Sequence, residues 1–359
     1  MSTRIVIKPE ATSSGWVRNP DWIALPTITS ADNRLVALFL VFENEYNVIT
    51  VNCTNLAASI DFGDGTTTTS TGSVQNHVYD YATISGTVSQ YYDGRNYKQV
   101  ILDITYSGTG TLSTVDVSPG LSVNSQGTVN IVDLICSLPD TTGLRLSGSR
   151  RMYIVEQIKV LNLGINSFNS VATLMYKLKS LEFPFDKLTQ LVNPTFSGVQ
   201  EFGDLNLSSV TNMSIAFSGS LQYKFGNLNT PLCTTFVRTF EASRVLRRVE
   251  SVDCTSCTTI QQMFNSCESL NYAVLNNCGS IVTTTNAFNA NPSLSTLLLN
   301  GITVSFTVAN CKLDASALND LFTSLGTASG AQTVAVTGNP GASTCDTTIA
   351  TAKGWTVVT

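Results

Sequence analysis

The 359-residue sequence predicts a multidomain fold: an N-terminal all-β sandwich, then an α/β repeat solenoid, then a C-terminal α/β cap. Three observations carry this. Short runs rich in Val, Ile, Thr and Tyr, separated by turn residues, fill residues 35–117. A marker residue then recurs at Met175, Phe196, Phe217, Phe240, Phe264 and Phe288, spaced by 21, 21, 23, 24 and 24 residues. After Asn310 the period stops and helical and strand patterns alternate. The expected division is an extended arm over 1–34, the sandwich over 35–118, a linker and N-terminal cap over 119–154, the solenoid over 155–312 and the C-terminal cap over 313–359.

The arm, Lys8 to Asn33, holds three prolines and two tryptophans without a sustained period. Proline removes backbone donors and interrupts both helix and sheet, so an extended segment is expected. Trp16 and Trp22 either pack on the sandwich or serve as attachment anchors for a partner. In the sandwich, Gly63 and Gly65 of Ile60-Asp61-Phe62-Gly63-Asp64-Gly65 permit positive φ in a tight turn, while Ile60 and Phe62 share a face. With His77-Val78-Tyr79 and the Tyr97–Tyr106 strand, this order resembles the PKD domain, an immunoglobulin-like sandwich. Ile60 stands where that family carries Trp.

Each repeat sends the same side chains inward. Four residues before the marker stand Val171, Val192, Met213, Phe236, Ile260 and Thr284; six after it stand Leu181, Phe202, Tyr223, Leu246, Leu270 and Leu294. Apolar residues at offsets −4, −1 and 0 have the spacing of one helical face, and Leu205 with Leu207 reads as a short strand. One strand and one helical turn per 21–24 residues describe a leucine-rich-repeat-like coil, stacked on its neighbours about 4.8 Å apart. Leu205–Ser220 and Val252–Leu270 resemble the BspA-type leucine-rich repeats, known from bacterial surface adhesins and phage structural proteins. The likeness covers roughly residues 155–310; Arg244, Arg247 and Arg248 depart from its small polar pattern. Leu313–Gly326 has helical spacing and ends at a glycine suited to a left-handed C-terminal position. A strand at Gln332–Gly338, a second helix stopped by Gly354 and a last strand complete the expected cap.

Composition narrows the function. Lys and Arg number 20 and Asp and Glu 25, a net charge of −5, which disfavours a general nucleic-acid binder. Residues 1–140 carry 6 basic and 13 acidic side chains, whereas 141–260 carry 12 and 8, so the middle is mildly basic. No apolar run reaches the roughly 18 residues of a membrane span, and Met1–Trp16 does not read as a secretory signal. The nine cysteines, an odd number, read as thiols made in a reducing cytoplasm.

Chemistry-bearing patterns are sparse. The single histidine, His77, lies in a strand, and Glu182, Asp204, Glu250 and Asp253 share no repeat offset, so no catalytic residue is nominated. Cys254 and Cys278 share offset −10 and Cys233 and Cys257 share offset −7, which reads as stacked core rather than zinc. Asp61 and Asp64 read as a turn rather than a calcium site. No cofactor or metal is expected.

The sum of these features resembles a phage virion protein: a non-enzymatic tail, fibre or decoration component assembled in the host cytoplasm. Its expected partners are other virion proteins through the N-terminal part and a host-surface glycan through the solenoid, in several copies per particle. The alternatives are a bacterial cell-surface adhesin and a phage polysaccharide depolymerase on a β-helix.

Overall fold

A computed structural model describes residues 6–7, 17–108, 114–118, 130–140, 143–145, 154–164, 167–169, 178–192 and 199–359. The chain forms two compact units, Met1–Lys187 with Pro194–Val199, and Leu188–Asn193 with Gln200–Thr359.

The first unit is built around β1 (Arg34–Phe42), whose residues from Leu35 on are all buried. Burial on both faces explains why Leu35–Phe42 is uninterruptedly apolar. The strands that follow are β2 (Asn47–Thr54), β3 (Ala57–Asp61), β4 (Thr67–Thr71), β5 (Val74–Tyr79), β6 (Asn96–Ser107), β7 (Thr114–Ser118), β8 (Ile131–Leu138), β9 (Gln157–Leu163) and β10 (Ser180–Glu182). One sheet runs β10-β9-β8-β1-β6-β3-β4 and a second contains β7-β2-β5. β1 pairs antiparallel with β6, Arg34 opposite Thr105 through Phe42 opposite Tyr97, and antiparallel with β8 on its other side. On one face of β1, Leu38, Leu40 and Phe42 pack with Trp22, Tyr97 and Val132. On the other, Phe39 lies 4.8 Å from Tyr79 between ring centroids.

This arrangement overturns part of the expected fold class. The strands of 35–118 do not close as a free-standing PKD-like sandwich, because β8 continues their first sheet beside β1. From β8 the sheet turns parallel: Asp133 is opposite Gln157, and Gln157 opposite Ser180. Coil stacking with a 23–24-residue step is thus present from Asp133, ahead of the 155 expected.

The second unit is a β-solenoid. Its first face stacks β11 (Glu201–Phe202), β12 (Lys224–Asn229), β13 (Arg248–Asp253), β14 (Tyr272–Asn276) and β15 (Thr296–Leu299) in parallel. A second face carries single parallel bridges joining Gln190, Asn212, Thr235, Thr259 and Thr283 in succession. Between the faces lies the aromatic core. Phe217, Phe240, Phe264 and Phe288 stack with centroid separations of 5.7, 5.2 and 6.0 Å and interplanar angles of 12°, 3° and 18°. Met175 and Phe196 lie outside the described residues.

The α/β leucine-rich-repeat solenoid with an α/β cap is overturned as well: the molecule is mostly β. Around Phe217, Phe240, Phe264 and Phe288 the chain makes a run of turns, not a helical turn. Ile215, Arg238, Gln262 and Asn286, two residues before the markers, have φ of 63°, 56°, 54° and 53°. Gly219, Ala242, Ser266 and Ala290, two after, have φ of 64°, 57°, 61° and 57°. No α-helix accommodates left-handed residues at that spacing. The amides confirm it: Phe217, Phe240 and Phe264 donate to Thr239, Met263 and Ala287 carbonyls of the next coil at 2.7, 2.8 and 2.9 Å. Alternate amides close tight turns within the coil, as from Met263 to Ile260 at 3.0 Å. Offsets −4, −1 and 0 do point inward, but successive turns place them there.

Among the described residues two α-helices occur, α1 (Ala315–Ser324) and α2 (Thr348–Thr351). They do not build a separate cap. β16 (Phe306–Thr307), β17 (Thr333–Ala335) and β18 (Thr356–Val358) form a parallel sheet that keeps the coils stacking to the C-terminal end. α1 takes the place beside β15 where another strand of the first face would fall: Leu299 N donates to Ser324 Oγ at 3.0 Å, and Gly301 N to Ser324 O at 2.9 Å. Gly326 is not left-handed. It is needed because a Cβ there would sit 2.7 Å from Gly301 O.

Candidate functional site

The parallel sheet face of the second unit presents, among the described residues, an ordered row of polar side chains. Strand alternation turns Phe202, Phe225, Val249, Ala273 and Leu297 inward, and all are buried. The preceding position on each strand is then outward: Glu201, Lys224, Arg248, Tyr272 and Thr296 stand in register, one per coil. Each is half-buried by its neighbours above and below.

Contacts hold this column in place. The Arg248 guanidinium carbon lies 3.6 Å from the Tyr272 ring centroid, and Arg248 Nε donates to Glu250 Oε1 at 2.6 Å. Lys224 Nζ lies 3.8 Å from the same carboxylate oxygen. The hydrogen bond from Arg248, helped by its charge and that of Lys224, holds the Glu250 carboxyl below its ordinary range. Beside the column, Asp204 Oδ1 accepts from Asn227 N and Nδ2 at 2.7 and 2.8 Å, and Ser251 Oγ donates to Asn227 Oδ1 at 2.7 Å. The result is a rigid face offering donors, acceptors and an aromatic edge, with charges paired rather than massed. Glu250 and Asp204 are each tied to such partners.

Round the corner, Thr211, Thr234 and Thr258 form a second exposed column. Each Oγ1 donates to the carbonyl of Thr189, Thr211 and Thr234 respectively, at 3.2, 3.1 and 3.1 Å. These bonds fasten one coil to the next.

The cysteines lie inside. Cys233, Cys254, Cys257, Cys267 and Cys278 are fully buried, and all nine cysteines are free thiols. Burial pushes the Cys233 and Cys267 thiols up to about 12, so almost no thiolate exists at neutral pH. Cys254 is hydrogen-bonded to Cys257 and Cys278, which with burial holds its proton still more firmly. Cys267 makes a bond that composition hides. Its Sγ donates to Phe240 O at 2.9 Å, and Ser243 Oγ does the same to Phe217 O one coil earlier, at 2.7 Å. Among the described residues, no group of three or more His, Cys, Asp or Glu is placed to hold a metal ion.

In the first unit, His77 Nε2 meets Asp64 Oδ2 at 2.7 Å, and its ring stacks on Phe62 at 4.1 Å. Asp61 Oδ1 and Asp64 Oδ1 accept from Gly63 N and Thr66 N at 2.8 and 3.0 Å, closing the turn. Trp22 is 4% exposed, and its carbonyl accepts from Arg18 Nη1 at 2.9 Å, while Arg18 Nε bonds Asp133 Oδ2 at 2.7 Å. To anchor a partner, Trp22 would have to leave that core. Trp16 lies outside the described residues.

Sequence inspection missed the outward column because only offsets filled by like residues were compared. Glu201, Lys224, Arg248 and Tyr272 each stand 16 residues before a marker phenylalanine, but their side chains differ in charge and type. Counting from the strands themselves, Lys224, Arg248, Tyr272 and Thr296 recur every 24 residues.

The family described as "Mycoplasma protein of unknown function, DUF285" matches residues 181–298, roughly a third of the chain. The matched stretch holds the coils from Phe217 to Phe288 and the whole polar column. No curated protein and no solved structure gives a significant match. Among the described residues, no helix is long and apolar enough to cross a membrane.

Proposed function

We propose that the chain is a non-enzymatic structural protein that adheres through its solenoid, the column from Glu201 to Thr296 meeting a polar surface ligand such as a host-cell glycan. A repeat surface of this kind is compatible with an adhesin-like role. The observation that carries the reading is the register itself: five successive coils hold polar or aromatic side chains in one straight row. A rigid row presents several weak contacts together without an ordering cost for each. Pairing of Arg248 and Lys224 with Glu250 favours neutral hydroxyl-rich ligands over densely charged ones.

The full-length protein applied to host cells and to a glycan array tests this. Tyr272→Ala and Asn227→Ala, both at partly exposed positions, should each weaken binding by about tenfold or more, equivalent to about 1.4 kcal/mol. Wild-type protein that binds no glycan and no cell, or variants that bind equally well, would overturn it.

The bacteriophage virion as the site of this presentation belongs to the same proposal. It is supported by the free thiols, a state maintained in the reducing cytoplasm where virions assemble. Mass spectrometry of purified particles should detect the chain in several copies, and its absence there would remove the virion assignment while leaving the adhesive one.

A further inference from the structure

β5 ends the second sheet of the first unit, with β2 as its only strand partner among the described residues. The pairing runs without a register shift from Asn47 opposite Tyr79 to Asn52 opposite Val74. Among the described residues, no backbone group of Val74–Tyr79 bonds outside that pairing. Among the described residues, one edge of β5 therefore offers a row of N–H and C=O groups without a strand partner, a template for another strand. Edge strands are commonly blocked by a lysine, a proline or a bulge. Val74-Gln75-Asn76-His77-Val78-Tyr79 has none of these.

The side chains indicate which strand fits. Val74 and Val78 are 47% and 50% exposed and share a face with Asn76 between them. His77 and Tyr79 turn the other way, His77 onto Phe62 and Asp64, and Tyr79 with its hydroxyl donating to Phe62 O at 3.0 Å. The exposed pattern Val-x-Asn-x-Val reads the same in both directions. In an antiparallel pair with its two-fold axis at Asn76, each Val74 opposes a Val78 and the two Asn76 amides face each other. Asp80, the nearest charge along the chain, falls opposite Gly72, and Asp64 is engaged by His77 on the other face, so no like charges are set opposite each other.

We propose that β5 is a self-association edge, pairing antiparallel with β5 of a second copy of this chain about a two-fold axis at Asn76. The two second sheets then become one continuous sheet across both chains. Six residues per chain make a contact smaller than a standard stable interface, so the dimer is concentration-dependent.

Sedimentation equilibrium of the full chain tests the inference. The wild type should shift from the 38.5 kDa chain mass to twice that value as concentration rises. V74K/V78K, which sets lysine against lysine twice, should remain at the single mass with an unchanged circular-dichroism spectrum. V74K/V78E sets lysine against glutamate twice in the proposed register, so it should dimerise again, and less so at high salt. Three results would each overturn the proposal: a wild type of single mass at every concentration, a dimer untouched by V74K/V78K, or a folded V74K/V78E that stays monomeric.

Discussion

The coils centred on Phe217 to Phe288 and the two coils after Asn310 keep the same stacking by different local means. In the former, backbone amides around the marker bond to the next coil, and left-handed residues recur two positions to either side. In the latter, the first face is occupied by α1, whose amides bond within the helix. Both segments show apolar residues at helical spacing: Ile260, Met263 and Phe264 in one, Leu318, Leu321 and Phe322 in the other. Spacing reports which side chains point inward, not which backbone puts them there. What separates the two is length and capping. A single turn lacks the hydrogen bonds to offset helix nucleation, whereas α1 has ten residues and an N-cap, Asp314 Oδ1 accepting from Ala317 N at 2.8 Å. Its last turn is held by Lys353 Nζ, which donates to Phe322 O and Leu325 O at 3.2 and 2.8 Å.

The largest expected effect tests the stack that the repeat coils share. Phe264→Ala should destabilise the protein by about 3–5 kcal/mol, because the cavity opens between Phe240 and Phe288 in a close-packed interior. The midpoint of urea unfolding measures it. An unchanged midpoint would mean that the aromatic column does not hold the coils together.

A pair of cysteine variants comes next. Cys254 Sγ is fully buried, with two thiols and a carbonyl 3.9 Å away as its partners, so Cys254→Ser puts a shorter, more polar hydroxyl among sulfurs that accept weakly and should cost about 1–3 kcal/mol. Cys267→Ser should fall within about 0.5 kcal/mol of wild type, since Ser243 makes the equivalent bond one coil earlier. Equal losses at both positions would show that Cys267 is packed as an apolar residue only.

Much of this was legible in the sequence, and the rest was not for definable reasons. The period, the markers and the inward set were readable because burial repeats them in every coil. The helix over Ala315–Ser324 was readable from the spacing of its apolar residues. The backbone of the repeat was not, because positive φ falls on residues such as Ile215, Arg238, Ala242 and Gln262, and Gly219 is the one glycine among these turn positions. Inter-coil hydrogen bonds impose that conformation, and local propensity does not announce it. The coil pairing from Asp133 was hidden too, since Asp133 and Gln157 precede the first marker, Met175. The polar column keeps one offset from the markers, but its side chains change from coil to coil, so no repeated residue type announced it.

Glycine variants turn the comparison into a difference of sign. Ala290 is exposed, with φ of 57°, so Ala290→Gly relieves a left-handed strain and should stabilise by up to about 1 kcal/mol. Ala317→Gly removes a good helix former from α1 and should destabilise by about 0.5–1 kcal/mol. Thermal unfolding of both variants gives the signs. A loss at both positions would place Ala290 in ordinary right-handed backbone and remove the distinction between the two kinds of coil.

The smallest effect concerns Glu250 on the polar face. Its carboxyl is held below the ordinary range by the hydrogen bond from Arg248, so its folded pKa is depressed. A depressed carboxyl contributes stability that is present above its unfolded pKa, about 4.3, and lost as pH falls through the lower folded value. The pair is partly exposed and solvent-screened, so the contribution should stay below about 1 kcal/mol. Glu250→Gln should therefore remove a shallow acid-side decline in Tm below about pH 4.3 and change little at neutral pH. It should also release Arg248 and Lys224 from their common partner, so the variant should bind anionic glycans better than the wild type does. An acid limb identical in both proteins would show that the carboxylate is not held by Arg248 in solution, and that the row on the sheet face is less rigid than the adhesion proposal requires.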